Sequence, residues 1–401
     1  MFIRKLSVLF SGTVLAQLIP LALLPILARS YTPAQFAEYG VFLYMSLITS
    51  VVATMRYEFA CAHAPNKKDE IGLFYVTLIS LALVSMLIIA ILVAFPGKSS
   101  LTALLDRRLL LYVPICAFLM GNAQLVTYYI NKGGNFKTVA LIKIGQAVIS
   151  GGCMVFLVDH AHSGLIVGHI LGLVLFLGFT LNIIKINGFV GLDSLRHLAL
   201  SHKRYPLVNA PGSIVNSVYL SAFLFYSKSA FDSVLVGYYS LINRYVGAPL
   251  GMLAVSISQV FLQELSHAEY PRLVGLFFKI TITNILIAIF FFLALLFSVD
   301  ALVPYLLGES WIGVEDYVLL FSASICVRFV VSPLSSVLTH QNNLHYGFAW
   351  QVLSLTVILV LFLLNEIDDY WRFSTIYVII DIALYLVYYA IIYKGLRFYE
   401  K

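Results

Sequence analysis

The sequence predicts an all-α, polytopic membrane protein with about twelve transmembrane helices in two six-helix bundles. Of the 401 residues, 61% are apolar and only 11% are charged, against roughly a quarter charged in an average soluble domain. The mean hydropathy is +0.94. The apolar residues are grouped in runs of about 20, the length that crosses a bilayer core as a helix. This composition excludes a water-soluble globule.

Each apolar run is predicted to be one span. The first run, 6–29, contains Pro20 and Pro25 and lacks a small-residue cleavage site before Arg29, so we count it as a span and not as a cleaved signal peptide. The other runs of the first bundle are 36–55, 71–95, 109–130, 138–158 and 165–184. Those of the second are 206–227, 233–256, 273–298, 317–338, 347–365 and 374–393. The acidic stretch 299–316 is predicted to be a solvated loop.

The basic residues are distributed unequally between the two sides of the membrane. Fifteen of the 25 Lys and Arg residues lie in connections of one side, which includes both termini, and six lie on the other side. Because positively charged loops are retained in the cytoplasm, both termini are predicted to be cytoplasmic.

A basic connector near the midpoint separates the two predicted bundles. Residues 185–205 combine leucines with basic residues in a pattern typical of a short interfacial amphipathic helix; these are Leu192, Leu195, Leu198, Arg196, His197, Lys203 and Arg204. Shifting the chain on itself by 199–200 residues places Ser11-Gly12-Thr13 on Pro211-Gly212-Ser213. We therefore predict bundles at 1–184 and 206–401. With six spans each, they would share one orientation, as in transporters built from parallel repeats, with a substrate cleft between them.

Four cations and one carboxylate within the spans are candidate site residues. Arg244 and Arg328 lie about 16 Å into their spans at 1.5 Å rise per residue, whereas Lys143 and Lys279 lie about 7–9 Å from an end and can reach headgroups. Charges at such depth normally face a cavity or a partner. An excess of cations favours an anionic, phosphate-bearing substrate, and structural pairing is the alternative. Asp381 either neutralises an arginine or binds a coupling proton or sodium ion.

Further polar residues are candidates for the substrate path. Gln17, Asn209 and Asn216 lie on the first and seventh spans, where hydrogen bonding between helices is the alternative role. Arg56 and Glu58 lie where the second span reaches the predicted cytoplasmic mouth. As an exposed pair they would contribute under about 1 kcal/mol; alternatively, Arg56 contacts an anionic headgroup.

The chain lacks the usual motifs of enzymes and ATP-driven motors. No Walker loop, GxSxG, HExxH or CxxC sequence is present, and the four cysteines do not have metal-ligand spacing. The connections are also too short for an extramembrane catalytic domain. We therefore predict no catalytic residue, no metal, no enzymatic activity and no nucleic-acid partner.

Short motifs are spread along both halves of the chain. The first half contains Ser11-Gly12-Thr13, Ala16-Gln17, Pro25-Ile26-Leu27-Ala28-Arg29-Ser30-Tyr31-Thr32-Pro33, Phe36, Tyr39 and Arg56-Tyr57-Glu58. The second contains Gly237-Tyr238-Tyr239, Pro249-Leu250, Ser258-Gln259-Val260-Phe261 and Leu307-Gly308-Glu309-Ser310-Trp311. In order and spacing, over essentially the whole chain, these motifs resemble the polysaccharide biosynthesis protein family, the Wzx-type O-antigen flippases of the multidrug/oligosaccharidyl-lipid/polysaccharide exporter (MOP) superfamily.

The resemblance implies a function. Such a protein translocates undecaprenyl-pyrophosphate-linked oligosaccharide units across the bacterial inner membrane by alternating access, for O-antigen or another surface polysaccharide. Polymerase and chain-length proteins are the implied partners besides membrane lipids, with no cofactor other than a proton or sodium gradient. The resemblance marks Arg244, Arg328 and then Lys143 as lumenal charges. The alternatives are a cation-coupled multidrug or small-solute exporter, which should favour buried carboxylates, and a membrane-embedded polysaccharide polymerase, which the short loops disfavour.

Overall fold

The chain is an all-α, multi-pass membrane protein. The computed structural model describes residues 16, 18–95, 100–132, 136–158, 163–183, 190–265, 270–339, 344–364 and 366–399. Within these ranges there is no β-strand, and ten helices are long and apolar enough to cross a membrane. Helical spans satisfy their own backbone hydrogen bonds, which lipid cannot do. The predicted fold class is confirmed.

Each of the twelve predicted runs contains a helix. The helices of the first half are α1 (Leu18–Ser30), α2 (Pro33–Thr54), α3 (Tyr57–His63), α4 (Lys67–Ala94), α5 (Ser100–Leu104), α6 (Arg107–Lys132), α7 (Phe136–Phe156), α8 (Gly164–Ile183) and α9 (Leu192–Ser201). The apolar parts of α1 and α8 are shorter than the ten long helices. They are Leu18–Ser30 and Gly164–Thr180. Helix α9 occupies the basic connector, where the sequence predicts an amphipathic helix.

Two π-helical segments interrupt the second half. The first, Tyr205–Asn209, leads into α10 (Ala210–Ala230); the second, Asn243–Gly247, joins α11 (Ser233–Ile242) to α12 (Ala248–Leu265). The remaining helices are α13 (Tyr270–Leu307), α14 (Val314–Val331), α15 (Leu344–Leu363) and α16 (Tyr370–Gly395), with 3₁₀ turns at Glu309–Trp311, Ser332–Thr339 and Leu396–Tyr399. Such π segments recur at functional sites in helices.

Helix α13 corrects the predicted loop at 299–316. It runs for 38 residues, so the first half of that stretch is helical even though Pro304 lies inside it. Val303 and Leu307 are buried there. Their burial stabilises the extra turns, whereas the acidic residues of the stretch indicated a loop.

The chain divides into two compact units. The first comprises Met1–Tyr31 with Glu38–Ser221, and the second comprises Thr32–Ala37 with Ala222–Lys401. The division therefore passes through α2 and through α10. The bounds predicted for the two bundles, 1–184 and 206–401, stay a prediction.

In the first unit, a row of glycines lets α8 pack closely against α7. Gly164, Gly168 and Gly172 are spaced by four and share one face of α8. A Cβ at Gly168 would lie 2.7 Å from the backbone of Met154, and one at Gly172 would lie 2.3 Å from the Cα of Ser150. Small residues at this spacing allow membrane helices to approach backbone to backbone.

The second unit is built around buried aromatic rings. Phe223 is fully buried, and its ring centroid lies 4.1 Å from that of Tyr377 and 4.6 Å from that of Tyr239. The start of α2 belongs to the same unit, because Phe36 contacts Trp311 edge to face at 5.1 Å. These contacts join α10, α11 and α16 and connect the start of α2 to the 3₁₀ turn that precedes α14.

Candidate functional site

The central feature of the second unit is a buried ion pair between α14 and α16. Asp381 is 0% exposed, and its Oδ2 lies 3.2 Å from Nη2 of Arg328. The hydroxyl of Ser324 donates to the same oxygen, and the Arg328 guanidinium carbon lies 5.5 Å from the ring centre of Tyr385. Ser324 and Arg328 are four residues apart, as are Asp381 and Tyr385, so each helix contributes both members from one face.

This geometry bears on the two roles predicted for Asp381. The carboxylate neutralises Arg328, which is the pairing alternative, and its role in ion coupling stays a prediction. The Arg328 side chain remains 22% exposed, so the pair is not sealed from its surroundings.

Arg244 lies in the π segment between α11 and α12. Its guanidinium carbon is 5.9 Å from the ring centre of Tyr245, and the side chain is partly buried. The side-chain amide of Asn243, the first residue of this segment, donates to the carbonyl of Tyr239 on α11 at 3.3 Å. The segment packs on α14, since a Cβ at Gly247 would lie 3.7 Å from Cδ1 of Ile325. The structure therefore brings the two deep arginines onto adjoining elements of one unit.

The other predicted lumenal residues are more dispersed. Lys143, on α7, is partly buried in the first unit, whereas Lys279, on α13 of the second unit, is exposed. Asn209 is exposed and Asn216 is partly buried. Gln17 lies outside the described residues. The binding roles of these residues stay predictions.

Arg56 and Glu58 are not an exposed pair. The Glu58 side chain is 0% exposed and that of Arg56 is 17% exposed, with Nη1 3.3 Å from Oε1. Met55 and Arg56 both adopt positive φ angles, 47° and 60°, a left-handed break that few non-glycine residues make. The break separates α2 from α3, which lies outside the spans. Burial raises the pKa of Glu58, and Arg56 opposes that shift.

Glu70 is a third buried carboxylate, after Asp381 and Glu58, and it was not predicted from the sequence. Glu70 lies 2.7 Å from Nζ of Lys67 and 3.4 Å from Nζ of Lys132. Lys132 also donates to the carbonyl of Ala64 at 2.6 Å. This network fastens α3, α4 and α6 to one another. Lys132 is 62 residues away from Glu70 in the chain, so only the structure reveals this contact.

Comparisons with known proteins agree with this architecture. No family model matches the chain, and no curated protein is similar to it in sequence. The fold is similar to an inward-facing multidrug resistance MATE family transporter of the MOP superfamily, with a TM-score of 0.70, 12% identity, and 99% of this chain and 98% of that one covered.

Two further solved structures have the same fold. One is a MOP superfamily transporter from Pyrococcus furiosus, whose binding pocket is described as having reverse polarity, with a TM-score of 0.68, 10% identity and coverage of 99% and 96%. The other is the lipid II flippase MurJ in an inward closed conformation, with a TM-score of 0.64, 14% identity and coverage of 97% and 99%. The chain thus has the fold of MOP superfamily transporters.

Proposed function

We propose that the chain is a flippase that moves an undecaprenyl-pyrophosphate-linked oligosaccharide across the bacterial inner membrane by alternating access, for O-antigen or another surface polysaccharide. The observation that carries the proposal is the placement of Arg244 and Arg328 on adjoining elements, the π segment and α14 of the second unit. Guanidinium groups bind phosphate oxygens through two parallel hydrogen bonds. A pyrophosphate offers acceptors for both arginines. The fold, which it shares with the lipid II flippase MurJ, is compatible with such cargo.

Arg328 would have two competing partners during transport. In the structure it is bound to Asp381, and a pyrophosphate would compete for the same donors. A proton on Asp381 would weaken the internal pair and favour the substrate, so this residue would link proton uptake to cargo binding. Sodium bound at Asp381 would likewise weaken the pair with Arg328 and favour substrate binding. In this proposal the protein needs no cofactor beyond the ion gradient, and it would pass its product to a polymerase and chain-length partner.

A cation-coupled multidrug exporter is the second candidate. The likeness to a MATE family transporter favours it, and a buried carboxylate such as Asp381 is what a cationic drug would require. Asp381 is, however, already neutralised by Arg328. Arg244 adds a further cation to the same unit, and this balance favours an anionic substrate.

Deletion of the protein tests the proposed cargo. Lipid-linked repeat units should accumulate on the cytoplasmic leaflet of the deletion strain, and surface polysaccharide should be lost. Normal surface polysaccharide, in a strain without a redundant transporter, would refute the function.

Site variants test the two arginines. Arg244→Ala and Arg328→Ala should each abolish restoration of export, while Arg244→Lys, which keeps the charge but not the planar fork, should restore it only partly. Arg272→Ala is the matched control, because that arginine is 73% exposed. Export is compared per amount of membrane-inserted protein, because Arg328→Ala leaves the buried carboxylate of Asp381 without its partner and should lower the inserted level. Full export by both alanine variants would remove these residues from the site.

Uptake into vesicles with an imposed pH or sodium gradient identifies the coupling ion.

A further inference from the structure

Helix α9 is fixed to the first unit by one of its faces. Leu195 and Leu198 are buried on this face. The contact with α4 is tight, because a Cβ at Gly72 would lie 2.3 Å from Cδ1 of Leu198. The hydroxyl of Tyr57 also donates to the carbonyl of Ala199 at 3.1 Å. Leu195 and Leu198, which would contact lipid in a free interfacial helix, therefore pack against protein.

The opposite face carries a second apolar pattern. Leu192 is 79% exposed and Leu200 is 59% exposed. Arg196 lies between them at a spacing of four residues, so the three side chains share one face. Beyond the end of α9 at Ser201, Lys203 and Arg204 are exposed, and Val208, in the π segment that leads into α10, is 58% exposed. We give the name outer face to these exposed residues together, namely Leu192, Arg196 and Leu200 on α9 and Lys203, Arg204 and Val208 directly after it.

The outer face is positively charged. Arg196, Lys203 and Arg204 are all exposed, and Asp193 is an exposed acidic residue beside them. Within the described parts of the chain, none of these four residues forms an ion pair with another residue. The cations are thus available to an outside anion, and their long stems can lie along apolar surface while the charged groups reach polar surroundings.

We propose that the outer face of α9 binds anionic phospholipid headgroups of the cytoplasmic leaflet. Leu192, Leu200 and Val208 would enter the boundary between headgroups and acyl chains, and Arg196 and Arg204 would bind the phosphates. Alternating leucine and arginine on one face suits this boundary, because the leucines leave water while the cations stay among the headgroups. The predicted orientation places α9 on the cytoplasmic side, where anionic lipid is enriched. The proposal does not depend on which cargo the protein carries.

Lipid retention by the full-length protein tests this surface. The protein is extracted from vesicles of phosphatidylcholine containing about 30% phosphatidylglycerol, a proportion that gives an anionic surface, and bound lipid is counted by native mass spectrometry. Each cation near an anionic surface strengthens association about fivefold. Arg196→Gln with Arg204→Gln should therefore weaken retention of phosphatidylglycerol by about 25-fold on the same basis. Retention of phosphatidylcholine should not change.

Two further variants make the result specific. Lys394→Gln with Arg397→Gln removes two exposed cations from the same predicted side and should leave retention unchanged. Arg196→Lys with Arg204→Lys should retain phosphatidylglycerol, which separates lost charge from lost folding. Equal retention by the glutamine variant and the wild type would overturn the proposal, and so would an equal loss in the Lys394 and Arg397 control. None of these outcomes depends on transport, so they are independent of the flippase assay.

Discussion

Replacing Arg328 while Asp381 remains should destabilise the second unit strongly. The carboxylate of Asp381 is 0% exposed, and Arg328 Nη2 lies 3.2 Å from it. Removing one partner of a buried ion pair costs about 3–5 kcal/mol, because the other charge is left uncompensated. Since Arg328 is 22% exposed, some solvent reaches the pair, and we expect Arg328→Met to cost about 3 kcal/mol, the lower end of that range.

The reverse replacement should cost less. Asp381→Asn removes the buried charge and leaves an arginine that is partly solvated, so we expect a loss of about 1–2 kcal/mol. The double variant should be no less stable than Arg328→Met alone, because it leaves no charge buried. The two single costs should therefore exceed the cost of the double variant by about 1–2 kcal/mol.

Denaturant unfolding in detergent micelles measures these differences. Trp350 is a suitable probe, because its indole nitrogen donates to the carbonyl of Leu384 on α16 at 3.2 Å. The control is Arg272→Met, whose pair with Glu264 is exposed on both sides, 73% and 38%, and should cost under about 1 kcal/mol. If Arg328→Met cost no more than this control, or if the single costs were additive, the assignment of a buried, coupled pair would be wrong.

Three further predictions concern single residues. Gly237→Ala should destabilise the second unit by about 1–3 kcal/mol, because its Cβ would lie 2.0 Å from the carbonyl oxygen of Pro33; Gly251→Ala, with open space around it, should be neutral or stabilising in the same unfolding assay. Burial raises the pKa of Glu58 above its ordinary 4.5, so stability should fall as the pH rises from 4.5 through the raised value, and Glu58→Gln should abolish that fall. Burial raises the pKa of Cys61 to about 12, so a maleimide should label it at neutral pH only after unfolding, as mass spectrometry would show.

The fold follows from the sequence because lipid imposes a simple length rule. A helix that satisfies its own backbone needs about 20 apolar residues, and all twelve predicted runs contain helix. The length rule does not reveal where the helices are interrupted by π segments. The predicted run 233–256 passes through the π segment at Asn243–Gly247, which contains no proline and forms no loop, and a change in hydrogen-bond register has no signature in the composition. The end of α13 was also misjudged, because the acidic residues of 299–316 indicated a solvated loop, whereas the burial of Val303 and Leu307 keeps its first half helical.

The candidate site was only partly predictable. Pairing of Asp381 with an arginine is one of the two roles expected from charge balance, and the structure selects Arg328 as the partner. Ser324 and Tyr385 were missed, although each lies four residues from a predicted charge and so on the same helical face. The spacing was therefore available as a signal. The contacts of Glu70 with Lys132 had no such signal, because they join separate helices.

The direction in which a side chain points around the helix axis decides whether it faces a site, and depth in the membrane alone does not give this direction. In a soluble helix, polar residues mark the outward face, but a membrane helix is apolar on the lipid side as well as inside. The sequence therefore gives the depth of a charge and not the direction in which it points. Lys143 and Lys279 have similar predicted depth, yet the first is partly buried and the second is exposed. A lysine near a span end tolerates either face, because its stem can reach the headgroups. An arginine at mid-depth cannot, so Arg328, which is partly buried and paired with Asp381, has the stronger claim to function.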